Sequence, residues 1–169
     1  MSFYSKVVDE LIAAFPDCNI VMLPQLFSGS QYAFSDVDFF RDLANLKNDN
    51  KIIVTPDCYS CDIQQTIIHG AKALLGSRYH SIVFAINQNV PFVALSYEHK
   101  IIGLLETLDK QDCCVDITNT FVNDDNEKMT LEHIRSLLKI IDKDAVAQLK
   151  AKTIARQCMD SFISTINNL

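Results

Sequence analysis

Glycine is scarce in this chain, with four residues in 169. None of them falls into GxGxxG or GxxxxGK[ST], which excludes the ordinary glycine-rich cradles for dinucleotides and nucleoside triphosphates. Long hydrophobic runs are missing as well. No apolar stretch approaches the ~18 residues that a membrane-spanning helix needs, and the N-terminus has no signal-peptide core, so we expect a cytoplasmic protein that does not span a membrane. Positive charge is in deficit: 15 Lys and Arg stand against 21 Asp and Glu, for a net charge of -6. That balance argues against nucleic acid or an anionic membrane as partner, and leaves room for a local cationic pocket. Metal-ligand patterns are thin. Of six cysteines, only Cys58 and Cys61 make a CxxC, with no second pair and no His pair near them. Reduced thiols and no metal are expected.

What is present is an ordinary globular composition, 49% hydrophobic and 21% charged, in a length that suits one domain with a substantial core. Val7, Val8, Leu11, Ile12 and Phe15 recur at helical spacing before Pro16. A strand-like run, residues 19–23, is closed by Pro24, and Ser28-Gly29-Ser30 marks a loop. Ser35 and Asp36 look like caps for a helix carrying Phe39, Phe40, Leu43 and Leu46; Asp36 and Asp38 could be read as a metal pair, but acids in a helix's first turn are the commoner case. The rest alternates in the same way. Strands are expected at 51–54, 73–75, 92–95 and 113–117, and helices at 62–72, 78–87, 97–108 and, capped by Thr130, 131–141. A polar turn is expected at 123–127, and a last helix from about Asp144 to Asn167. Short strands alternating with helices predict an α/β fold: a doubly wound, Rossmann-like parallel sheet with helices on both faces, as one domain over residues 1–169.

The chain turns on residues 76–100, GSRYHSIVFAINQNVPFVALSYEHK. An apolar run stops at Gly76-Ser77, and a helix-like segment begins at Arg78-Tyr79-His80 with Ser77 as its expected N-cap. The unit then recurs: Pro91, an apolar run, Ser96, and a helix start through Tyr97, Glu98, His99 and Lys100. Two parallel strands leading into two helix N-termini would bring Arg78, His80 and Lys100 to the carboxyl edge of the sheet, where open α/β sheets bind ligands. Free amides at a helix start and a forked guanidinium suit a carboxylate or a phosphate. Taken alone, Arg78 is equally well explained by a structural pairing, with Glu98 for example, and His80 by a satisfied core histidine; their joint position favours an anion site. Lys100 fits a site contact or a surface ion pair. Ser96 and Tyr97 either line the site or cap the helix.

That stretch resembles the polysaccharide pyruvyl transferase family, whose signature is R-x-H at a helix start, then VP, a strand and SYxxK followed by Gly. Here these are Arg78 and His80, Val90-Pro91, Ser96-Tyr97, Lys100 and Gly103. The family's enzymes look like two-domain, GT-B-like transferases, and this chain is similar only to their C-terminal half. The resemblance implies a transferase that takes a pyruvyl group from phosphoenolpyruvate to two hydroxyls of a saccharide or lipid-linked sugar as a cyclic ketal, releasing phosphate. Such work fits exopolysaccharide biosynthesis. It implies phosphoenolpyruvate as donor substrate and no separate cofactor. It implies that Arg78 and His80 contact the phosphoenolpyruvate. Ser77, Ser96, Tyr97 and Lys100 are further candidates for the substrate site. His80 is the candidate catalytic acid, histidine being the default proton donor near neutrality, or else only a hydrogen-bond donor to the phosphate. The resemblance implies as further partner a missing N-terminal domain, or self-association along an exposed stripe of Phe162 and Ile166 on the last helix. Two alternatives stay open: a glycosyltransferase-like domain for a nucleotide-sugar, and a non-catalytic module.

Overall fold

The computed structural model describes residues 2–26, 35–55, 59–141 and 151–160. The loop expected around Ser28-Gly29-Ser30, Cys58 of the CxxC, and the expected stripe of Phe162 and Ile166 lie outside the described residues. The first helix, α1 (Ser2–Ala14), leads into strand β1 (Ile20–Met22). Then follow α2 (Asp36–Lys47), β2 (Ile52–Val54), α3 (Cys61–His69), β3 (Leu74–Gly76) and α4 (Tyr79–Gln88). The second half carries β4 (Phe92–Ser96), α5 (His99–Thr107), β5 (Cys114–Asp116) and α6 (Asp124–Ile140), and residues 151–160 are again helical.

All strand pairings are parallel, and helices cover both faces, so the fold is α/β and Rossmann-like. The pairings form two ladders, β1 with β2, and β3–β4–β5. The period-two geometry of β4 divides the core. Val93 and Leu95 point to one face, against Phe3 and Val7 of α1 and Ile134 and Leu138 of α6. Phe92 and Ala94 point to the other, against Ile68 of α3, Ile82 and Phe84 of α4, and Ile101 and Leu105 of α5. β1 follows the same rule, with Met22 joining Val8 of α1 and Leu43 of α2. The faces are therefore α1, α2 and α6 on one side and α3, α4 and α5 on the other. Outer clasps reinforce the first: Arg135 donates to Glu10 with both Nε and Nη2, tying α6 to α1.

Two helix starts differ from expectation. Ser77 does not cap α4; the N-cap position is held by Arg78, in extended conformation, and Ser81 Oγ donates to the Arg78 carbonyl at 2.7 Å. The run 123–127 is not a loop but the beginning of α6. Asn123 caps it through the Asn126 amide at 2.8 Å, and Asp124, Asp125 and Glu127 fill the first turn, where negative charge complements the helix dipole. Thr130 lies inside that helix, and its hydroxyl donates back to Asn126 O. Ser35 does cap α2, accepting from Val37 N. Among the described residues no helix is long and apolar enough to cross a membrane.

Candidate functional site

Parallel strands deliver every following loop to one edge, and a chain of polar contacts runs along it. Gln64, buried on α3, donates to the Tyr59 carbonyl at 2.8 Å and accepts from Gln25 Nε2 at 2.5 Å. Asp36, buried at the head of α2, accepts from the backbone amides of Gln25 (3.1 Å) and Leu26 (2.9 Å) through Oδ2. Its other oxygen, Oδ1, takes Arg78 Nη2 at 2.7 Å. Arg78 in turn donates from Nη1 to the Tyr97 hydroxyl at 3.1 Å. The Asp36–Arg78 pair thus joins the β1–β2 side of the molecule to the β3–β4 side. Hydrogen bonding to Asp36 pushes the guanidinium still further above its usual range. Tyr4 of α1 belongs to the same neighbourhood. Burial raises its phenol's pKa, the nearby Tyr97 adds to the rise, and Arg78 opposes it.

Arg78 and Tyr97 stand at the rim of a cleft of about 1020 Å³ that opens between the two ladders. The cleft is walled mainly by hydrocarbon, including Val8, Phe39, Phe40 and Leu43, with Ser77, Asp36 and Gln25 among its polar lining. Arg78 is one-third exposed, at 32% of its side chain. Two of its five N–H donors are committed, so others remain for a ligand at the rim.

The residues singled out from the sequence fall into three groups. Ser77, Arg78 and Tyr97 line the cleft, with Arg78 and Tyr97 in contact. His80 and Lys100 sit exposed in the first turns of α4 and α5, helices that follow adjacent parallel strands, and neither is part of the cleft wall. The His80 ring packs edge-on to Tyr79, at 5.8 Å between centroids, and leans over Phe84. Ser96 is enclosed, 0% exposed, and its hydroxyl donates to Glu98 O. The carboxylate that meets Arg78 is Asp36, not Glu98. Asp36 and Gln25 are not among the site residues that the sequence singles out; there Asp36 reads as a first-turn acid. Among the described residues no three His, Cys, Asp or Glu side chains are grouped to hold a metal ion.

Gly76 closes the site from behind. A Cβ there would lie 2.5 Å from Ser81 Oγ, 2.9 Å from Leu74 Cδ2 and 3.1 Å from Ile82 Cδ1. The end of β3 therefore packs on α4 at a distance that only a residue without a side chain allows. Gly76→Ala is expected to cost about 1–3 kcal/mol through overpacking. Gly103→Ala, on α5 with nothing within 4 Å of the new methyl, is expected to stabilise by about 0.5–1 kcal/mol. Urea unfolding of the two variants checks the contrast, and equal effects would refute the close-packing account.

A profile of the polysaccharide pyruvyl transferase family matches residues 4–99, more than half of the chain. The chain belongs to that family. The matched span includes Ser77, Arg78, His80, Ser96 and Tyr97 and stops just short of Lys100. Searches of curated proteins and of solved structures each gave no match. A pyruvyl transferase-like domain is thus set on a Rossmann-like scaffold, with the R-x-H segment at the carboxyl edge of β3.

Proposed function

We propose that this domain binds phosphoenolpyruvate at the rim beside Arg78, for transfer of its pyruvyl group to two hydroxyls of a sugar as a cyclic ketal. The observation that carries the proposal is the Arg78 guanidinium. It is held in place by Asp36 and Tyr97, left partly exposed, and set one residue before the first turn of α4. Its remaining donors suit a carboxylate or a phosphate, and the amides of the α4 N-terminus add to the attraction. His80, exposed in that same turn, is assigned as general acid. It gives a proton to the donor's methylene carbon as the first sugar hydroxyl bonds to the adjacent carbon, and regains a proton from that hydroxyl. The second hydroxyl then attacks the same carbon, and phosphate leaves with the second proton. One pyruvyl ketal and one phosphate account for all atoms. Lys100 at the start of α5 is assigned a supporting contact to the donor's negative charge.

Thermal unfolding with and without phosphoenolpyruvate is the direct test. A ligand at a hundred times its dissociation constant contributes about 2.7 kcal/mol, a rise in Tm of roughly 5–11 °C for a domain this size. Arg78→Lys keeps the charge but loses the fork, and should abolish most of the rise; His80→Asn should keep the rise and lose turnover with a sugar acceptor. A rise with UDP- or GDP-sugars and none with phosphoenolpyruvate would replace the proposal with a nucleotide-sugar site. No rise with either would leave a non-catalytic module.

A further inference from the structure

The sheet contains a slot. Among the described residues β1 is hydrogen-bonded on one side, to β2, and β3 on one side, to β4. The cleft between the ladders is walled by residues 19–23 and 73–76 in unbroken succession. Successive side chains of a strand point to opposite faces, so a cavity walled by every residue in turn faces the strand's edge. The backbone bonds agree. Ile20 N–H donates to Lys51 O, Met22 O accepts from Thr55 N–H, and Leu74 N–H donates to Pro91 O. In parallel ladders alternate residues bond to the same side, so the peptide groups of Val21 and Leu75 are directed away from those partners and into the cleft. Two parallel edges thus face one space, with donors and acceptors that no partner among the described residues takes. Val21 lies between Ile20 and Met22 at 45% exposure, which is unusual for a residue in the interior of a covered sheet.

We propose that this slot seats a further β-strand, an apolar extended segment that leads directly into α1 and pairs in parallel with both β1 and β3. Size fits. A spacing of about 4.8 Å, a layer thickness of about 10 Å and a rise of about 3.3 Å give each residue of a buried strand roughly 160 Å³, so a cleft of 1020 Å³ takes about six residues. Topology fits as well. Tyr4, Val7, Val8, Leu11 and Phe15 of α1 and its exit line the cleft, so α1 roofs the slot. α1 and α2 share one face, with the Tyr4 and Phe39 rings 5.2 Å apart. A step from the slot to β1 has the same direction as the step from β1 to β2. A strand in the slot, α1 and β1 would therefore form a crossover of the same hand as β1–α2–β2, as the right-handed rule requires. The hydrocarbon wall calls for an apolar strand, and its C-terminal end would finish beside Gln25 and Arg78.

The test joins a six-residue Val/Ile segment and a short polar turn ahead of α1 in the full chain. The extended chain should gain roughly 5 °C or more in Tm and lose most of the fluorescence of an apolar-surface dye. The same extension interrupted by two prolines should do neither. Val21→Pro removes an N–H that β2 does not use, so the unextended chain should keep its Tm while the extended one loses its gain. Equal effects from the interrupted segment, or no change with the intact one, would overturn the proposal. So would dye exclusion by a concentration-dependent dimer of the unextended chain, which assigns the slot to a second copy, or saturable filling of it by the free hexapeptide.

Discussion

Asp36→Ala is expected to lower stability by about 2–4 kcal/mol and Tm by roughly 5–15 °C. The carboxylate is buried and satisfies three donors: the amides of Gln25 and Leu26 and the Arg78 guanidinium. Removing it strands all three. Breaking a fully buried pair typically costs ~3–5 kcal/mol, and the figure here is set lower because part of Arg78 remains in water. The double variant Asp36→Ala with Arg78→Ala should lose less than the two single losses combined, since each alone leaves the other partner's charge unanswered. Thermal unfolding followed by circular dichroism decides it. A Tm within a degree or two of the parent would mean that the rim network contributes nothing to the fold.

The second large effect is predicted for Ile82→Ala, at about 2–5 kcal/mol. Ile82 is 0% exposed at the end of the first turn of α4, between the β3 terminus and the core that Phe84 and Leu105 share. Truncation removes buried methyl groups and leaves a void that a helix fixed at both ends cannot collapse to fill. The loss reaches the site, because the same turn sets the angle at which Arg78 and His80 leave the sheet. Ile63→Ala on α3, at 48% exposure, serves as the comparison and should change stability by less than about 0.5 kcal/mol. Similar losses for both would show that Ile82 is not packed as described.

The sequence exposed the local part of this structure and concealed the non-local part. Val7, Leu11 and Phe15 mark α1 by spacing alone, and the apolar run through Ile82, Val83 and Phe84 marks a deeply set α4; both are where periodicity puts them. The R-x-H segment likewise lies at the carboxyl end of a strand, as its neighbours imply. The start of α6 was obscured because Asn123-Asp124-Asp125-Asn126-Glu127 has the composition of a solvated turn, and only the Asn123 cap bond reveals a helix. Asp36 and Arg78 are 42 positions apart, beyond the reach of any spacing argument. The division of the sheet was hidden for a similar reason: each strand's own pattern reports which faces are covered, not which edges are joined.

β4 has every residue buried, bonds to a strand on each side and packs helices above and below. The β1–β2 ladder has no such strand, and Val21 and Ile53 lie open on one of its surfaces. Loosening should therefore begin at that smaller raft while the three-stranded part stays closed. The amide protons of β4 would be the last to trade with heavy water, and Asp36 and Arg78 hold together regions of unequal firmness.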